Sequence, residues 1–181
     1  ETIAKFIRNE NPIIREGSII ALLDYTGDDG VFVAQTAINE LFESNDREDK
    51  ISALNILKNM KTLGFDKALE ESLRSEDREI KTLAISAVGN VKIEKFLPVL
   101  LETLDENEYR NAGVMALIKF GDSILDLLIK HFNVEEALSA RLGLIKIFAA
   151  IKTERSYKFL LGNVNNPLLG DAILEKLFEI N

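Results

Sequence analysis

Hydrophobic positions along the chain follow the spacing of helices. Within residues 75–88, apolar side chains recur at intervals of three and four, namely Ile80, Ala84, Ala87 and Val88. This spacing places them on one face of an α-helix. Residues 93–104 carry a second apolar segment with the same helical period. The pattern predicts amphipathic helices that follow one another in pairs.

The same arrangement recurs five times along the chain. In each copy a basic residue is followed, three and six or seven positions later, by small or apolar residues. These basic residues form what we call the basic ladder: Arg15, Lys50, Lys81, Arg110 and Arg141. By subtraction, successive ladder residues are 35, 31, 29 and 31 positions apart, and a poorer sixth copy places Gly170 another 29 along. Such a fixed period predicts a repeat protein built from helical hairpins.

Helix boundaries are marked at corresponding places in the copies. A stretch rich in Asp, Glu or Asn precedes each ladder residue, and such side chains cap the exposed N–H groups of a first helical turn. Gly27, Gly30, Gly64, Gly89 and Gly121 lie at or near the predicted joints between the two helices of a hairpin. A residue that tolerates positive φ can end the first helix there.

These features predict an all-α fold, a right-handed α–α superhelix of about 11 helices in five or six hairpins. One hairpin cannot bury its apolar face alone, so neighbouring hairpins must stack and share a core. We expect residues 1–181 to form a single repeat domain. The chain begins at Glu1 with the pattern of the end of a second-type helix, so we also expect it to be a piece of a longer protein.

The motif of acidic cap, apolar–basic pair and small residues three and six positions after the basic one resembles HEAT repeats. The likeness is to the short variety named after phycobilisome lyases, and it covers nearly the whole chain. Residues 121–177 also resemble HEAT segments that follow transporter domains of nucleotide-carrier type in some bacterial proteins. The second resemblance implies a cytoplasmic regulatory appendage of a membrane protein. Gly170 departs from the motif, which has a basic residue at that position.

The basic ladder is the most regular charged feature of the sequence. One interpretation is a row of contacts for an anionic ligand. The other follows from the resemblance: in HEAT-like stacks, the basic residue near the start of the first helix commonly bonds an acid or a carbonyl of the neighbouring repeat. We therefore predict that Arg15, Lys50, Lys81, Arg110 and Arg141 are structural contacts between repeats.

Composition narrows the classes of partner. A net charge of −8 disfavours nucleic acid, since that binding needs Lys and Arg to displace counterions from phosphates. The chain has no cysteine, which excludes a disulfide framework, a thiolate metal site and a cysteine nucleophile. No apolar run approaches the ~20 residues of a membrane span. We expect a cytoplasmic location without direct insertion into a membrane.

The candidates for chemistry are few. His131 is the only histidine, and Glu135 and Glu136 follow one turn later. A lasting metal site needs three or four converging ligands, and the sequence suggests no others here, so we expect a capping or solvated histidine. The same histidine has no apparent partners for a catalytic triad. We predict no catalytic, metal-binding or cofactor-binding residues.

Together these features predict a non-catalytic protein-interaction, scaffold or regulatory module. It would bind a partner protein, or another domain of the same chain, through one layer of helices. One alternative is a chromophore lyase or another HEAT-repeat enzyme, as some relatives of the repeat are. A nucleic-acid-binding HEAT protein is a further alternative, which the acidic balance disfavours.

Overall fold

A computed structural model describes residues 3–59 and 64–179 of the chain. Within these residues the secondary structure is helical throughout, with turns and short connections and no strand. The predicted all-α class is therefore confirmed. The chain divides into two compact units, Glu1–Val91 and Lys92–Asn181. Whether the whole chain is a single repeat domain stays a prediction.

The first unit begins with a short 3-10 helix, Ile3–Phe6, where the sequence suggested the end of a second-type helix. Its α-helices alternate between the two types of the predicted hairpin. They are α1 (Pro12–Tyr25), α2 (Asp28–Glu43), α3 (Arg47–Asn59), α4 (Asp66–Leu73) and α5 (Arg78–Val91).

The first-type helices of this unit, α1, α3 and α5, pack beside one another. The most extensive contact joins α3 to α5, and α1 also contacts α3. Small residues make this close approach possible, because Ala53, Ala84 and Ala87 are fully buried at the predicted spacing from the ladder. The second-type helices α2 and α4 pack against the first-type helices of their own hairpin or the next. The core lies between the two helix types.

The second unit follows the same alternation. Its α-helices are α6 (Leu97–Glu102), α7 (Arg110–Phe120), α8 (Leu125–Val134), α9 (Leu138–Ile151), α10 (Glu154–Gly162) and α11 (Gly170–Phe178). Helix α9 is central, since it contacts α7, α8, α10 and α11. Phe148 of α9 packs against Phe132 of α8 and Phe159 of α10, with ring centroids 6.0 and 4.6 Å away. The phenylalanines of this cluster are packing residues.

Polar side chains cap α1, α3 and α5 where the acidic and Asn-rich stretches predicted caps, but the N-cap residues of α7 and α9 make no such hydrogen bond. The Asn11 side chain accepts a hydrogen bond from the Ile13 N–H, and Asp46 accepts one from the Glu48 N–H. Asp77 accepts from both the Glu79 and the Ile80 N–H groups. Each cap satisfies donors that the first turn of a helix leaves without a partner.

The glycine joints were predicted correctly at only some positions. Gly64 and Gly121 have positive φ, as expected of a residue that ends a helix. Gly89, however, is buried inside α5, and the residue that turns the chain after this helix is Lys92, with φ of 60°. Lys152 plays the same part after α9. Gly27 has φ of −75° and caps the start of α2, so positive φ is not why glycine stands there.

Replacing Lys152 by glycine should raise the free energy of unfolding by about 0.5–1 kcal/mol, because an L side chain in the left-handed region is strained and glycine is not. Urea denaturation of the two proteins measures this. Lys146→Gly is the control, since it places glycine in the middle of the same helix and should lower the free energy of unfolding by about 1 kcal/mol. Destabilisation by both substitutions would contradict the strain at Lys152.

Gly170 has a structural reason to interrupt the basic ladder. It is buried at the start of α11, and its N–H donates to the Asn166 carbonyl at 2.8 Å. A Cβ at this position would overlap the backbone carbonyl of Val164. A long basic side chain therefore cannot stand where the sixth repeat would carry one.

Candidate functional site

Arg15 behaves as the predicted ladder contact. Its guanidinium lies 3.1 Å from the Asp49 carboxylate and donates to the Ser52 hydroxyl at 2.9 Å. Both partners belong to α3, the first helix of the next hairpin. The Arg15 side chain is only 12% exposed, so solvent screens this ion pair less than it screens pairs on the surface.

The ladder residues of the second unit reach backwards along the chain. Arg110 donates to the Leu104 carbonyl at 2.6 Å and to the Asp105 carbonyl at 3.2 Å, just after α6. The Arg141 guanidinium lies 4.6 Å from the centre of the Phe132 ring, on α8. Lys81 also has an interaction partner. These contacts agree with the expected structural role, which stays a prediction for the ladder as a whole.

Lys50 differs from the other members of the basic ladder. Within residues 3–59 and 64–179 its side chain has no hydrogen-bond or ion-pair partner. It lines instead a crevice with two adjoining parts that share lining residues, about 120 and 380 Å³ in volume. Phe42, Ala68 and Glu71, together with Lys50, line both parts. The sequence predicted a contact for Lys50 that the structure does not provide.

Polar cross-links join successive hairpins within each unit. Their partners are 29 to 37 residues apart in sequence, close to the period of the ladder. Arg47 bonds Asp77 and Glu79, with distances of 2.6 and 2.7 Å. Arg155 bonds Asp126 at 2.5 Å in the second unit. These cross-links lie at the ends of the helices, and most of their side chains are exposed.

The pKa of Asp77 lies below the ordinary value of an aspartate. The main cause is the hydrogen bond from the Arg47 guanidinium, and the Ile80 N–H contributes next. Because the folded pKa is the lower one, ionised Asp77 stabilises the fold above the pKa of the unfolded chain, about 4. This contribution is lost as the pH falls through the folded pKa.

Replacing Asp77 by asparagine should therefore lower the Tm at pH 7 while leaving an oxygen to cap α5. The Tm difference between the two proteins should shrink as the pH falls below about 4, since the wild-type carboxylate becomes neutral there. Thermal unfolding followed by circular dichroism from pH 2 to 7 measures it. A difference that does not change with pH would mean that the charge of Asp77 does not stabilise the fold.

The outward side of α3 and α5 carries Glu48 and Glu79 in the first turn of each helix and is mainly uncharged after it, although Lys58 is exposed in the last turn of α3. Helical spacing of three and four places six side chains there, which we call the neutral face: Asn55, Asn59, Thr82, Leu83, Ser86 and Asn90. All six are exposed or half-exposed. The Asn90 amide donates to the Leu57 carbonyl at 3.5 Å, which links α5 to α3 across this face. The six residues of the neutral face are uncharged, and all but Leu83 are polar, in a chain whose residues are 29% charged.

The second-type helices of the same unit present a different surface. Their exposed positions are mainly charged, including Asp28 and Glu40 on α2, Lys67 and Glu71 on α4, and Arg74 at the C-cap of α4. Several of these side chains pair with one another, as Arg74 does with Glu70 at 2.7 Å. The two helix types of the first unit therefore differ in the surface chemistry they offer to a partner.

The histidine lies at a helix end. The Nε2 atom of His131, in the last turn of α8, is 3.3 Å from Glu135 Oε2, although the angles are not those of a hydrogen bond. The other oxygen of Glu135 accepts from the Ala137 N–H at 2.7 Å, one residue before α9 begins. Glu135 thus links the end of α8 to the start of α9, and His131 stands beside this link.

Residues 3–59 and 64–179 contain no cluster of three or more potential metal ligands. None of the described helices combines the length and apolarity needed to cross a bilayer.

Neither a family model nor a curated protein matches this sequence. Among solved structures, the chain is similar to the crystal structure of an engineered protein from the Northeast Structural Genomics Consortium. The sequence identity is 14% and the TM-score 0.49, over 99% of this chain and 93% of the other. A likeness at this level carries no argument about fold or function.

Proposed function

We propose that this chain is a HEAT-like α–α superhelix, and that it is a non-catalytic module that binds a partner protein through its first-type helices. Two observations support the repeat architecture. First-type helices pack beside one another in each unit, and the polar cross-links join residues separated by about one period. A solenoid in which each repeat contacts its neighbours has this pattern of contacts.

The neutral face is the observation that carries the proposed binding function. Charged residues are depleted at the cores of protein interfaces, because each buried charge must be desolvated. Asn, Ser and Thr side chains can instead exchange hydrogen bonds with water for hydrogen bonds with a partner at small cost. On these grounds the neutral face of α3 and α5 suits a protein partner better than the charged surface of α2 and α4.

The proposal includes a cytoplasmic location, which accords with a chain that has no cysteine. The partner is a protein or another domain of the same polypeptide, as the sequence predicts. The net charge of −8 disfavours nucleic acid in this role.

An affinity capture with two matched variants tests the binding function. Ser86→Arg places a long charged side chain on the neutral face, and Thr36→Arg makes a similar hydroxyl-to-arginine change on an exposed position of α2. The three proteins are used as bait, and bound proteins are quantified by mass spectrometry. We expect at least one partner that is captured by the wild type and by Thr36→Arg but lost with Ser86→Arg.

If Thr36→Arg alone loses the partner, the partner binds the second-type helices and not the neutral face. Equal capture by both variants would contradict the role of the neutral face. The Tm of each variant is measured first, so that loss of capture is not caused by unfolding.

A further inference from the structure

The sequence of the next repeat explains why the Lys50 side chain has no partner among the described residues. Arg15 pairs with Asp49 and Ser52, which lie one position before Lys50 and two positions after it in the following hairpin. The corresponding positions relative to Lys81 are Ile80 and Leu83. Neither side chain can accept a hydrogen bond. The repeat thus keeps the cation at Lys50 but replaces both groups that would bind it.

The side chain of Lys50 occupies a crevice in the first unit instead of a contact between repeats. Ile80, which stands where an acid would complete the ladder, lines the smaller part of this crevice together with Ser72 and Ser75. The Ser75 hydroxyl accepts from the Asp77 N–H at 3.1 Å, which leaves its own proton available to donate. An ammonium group and a hydroxyl donor therefore border the smaller part, and no acceptor from the ladder satisfies them.

We propose that this crevice binds a small monocarboxylate, whose carboxylate takes the place of the missing ladder acid beside Lys50. A carboxylate accepts charge-assisted hydrogen bonds from an ammonium group, and it is the group that the Arg15 site uses for the same purpose. The smaller part of the crevice, about 120 Å³, holds a carboxylate with a few further atoms. The larger part has room for a short polar body.

The charged side chains that line the crevice define which anions fit. Glu43 lines the larger part and Glu71 lines both parts, and Lys67 lies 3.8 Å from Glu71. These carboxylates repel a second negative charge on the ligand, so the site disfavours phosphate and dicarboxylates. A hydroxy acid is well suited, since its hydroxyl can bond the polar side chains of the larger part. The crevice is separate from the neutral face, so this inference does not depend on the proposed protein partner.

Titration of the ¹⁵N-labelled chain with lactate, acetate and inorganic phosphate, followed by NMR, tests the proposal. Lactamide is the uncharged control for lactate. We expect saturable shifts for lactate at residues lining the crevice, weaker binding of acetate, and none with lactamide or phosphate. Lys50→Met, which removes the charge and keeps an unbranched apolar side chain, should weaken lactate binding by about tenfold or more.

Two further variants test whether lactate binds in the crevice and not elsewhere on the protein. Lys58→Met makes the same charge change on an exposed position of α3 outside the crevice and should bind lactate as the wild type does. Ala68→Leu fills part of the crevice without changing the charge at Lys50 and should abolish binding. Because the Lys50 side chain has no partner among the described residues, Lys50→Met should leave the Tm of the free protein unchanged.

Three results would overturn the proposal. These are the absence of saturable shifts in the wild type, equal lactate binding by Lys50→Met and the wild type, or equal binding of lactamide and lactate. If Lys50→Met lowers the Tm and the wild type does not bind lactate, Lys50 has only the structural role that the sequence predicted.

Discussion

Replacing Ala84 by leucine should lower the free energy of unfolding by about 3 kcal/mol, because the added atoms overfill a packed core. Ala84 lies on α5 and is fully buried, and α5 makes its most extensive contact with α3. The larger side chain must push these helices apart or adopt a strained rotamer. Urea denaturation gives the change in midpoint.

Thr82→Leu is the control for this substitution. Thr82 is only half-buried and lies on the neutral face of the same helix, so leucine there should change the free energy of unfolding by no more than about 0.5 kcal/mol. Equal midpoints for the wild type and Ala84→Leu would mean that the small residue three positions after Lys81 is not at the point of close approach. The repeat register predicted from the sequence would then be wrong.

The second large effect is expected at Gly113, where alanine should lower the free energy of unfolding by about 2–3 kcal/mol. A Cβ built on Gly113 would overlap the Thr103 hydroxyl oxygen and lie 3.3 Å from the Leu100 carbonyl oxygen. Thr103 is 1% exposed and donates to that same carbonyl at 2.6 Å, so its side chain has little room to move. Chemical denaturation of Gly113→Ala measures the cost.

A double variant identifies the cause. Thr103→Ala removes the overlapping oxygen, so Gly113→Ala should cost much less in that background than in the wild type. Contacts that share a cause are not additive, and the two substitutions are expected to couple by about 1 kcal/mol or more. Strict additivity would show that Thr103 is not the group that excludes a side chain at position 113.

The helices and some of their caps could be predicted from the sequence because they rest on local rules. Apolar spacing fixes which face of a helix is buried, and an Asp or Asn just before a helix can cap its first turn. Asn11 and Asp77 cap their helices for this reason. Ala53 and Ala84, at the predicted positions of small residues, are fully buried.

The joints were harder to predict, because positive φ is not restricted to glycine. The glycine at position 89 predicted a joint there, but the chain turns at Lys92, one residue after α5 ends. Packing of α9 against α10 holds Lys152 in a conformation that its own preferences disfavour. A local rule cannot anticipate a conformation that tertiary contacts impose.

The surface features also depend on information that one repeat does not contain. The two partners of Arg15, Asp49 and Ser52, lie 34 and 37 positions further along the chain. That the Lys50 side chain has no partner among the described residues can therefore be predicted only by aligning each repeat with the next. Likewise, the neutral face can be recognised only once the structure shows which sides of α3 and α5 point outward. The sequence predicted that one helical layer would bind a partner without indicating which.

We expect a partner protein to bind this chain through its first-type helices. Hydrogen–deuterium exchange of this chain, alone and with the captured partner, tests it most directly because amide protection reports each helix separately. We predict slower exchange in α3 and α5 on binding, with little change in α2 and α4. Protection confined to α2 and α4, or none in either layer, would contradict the claim.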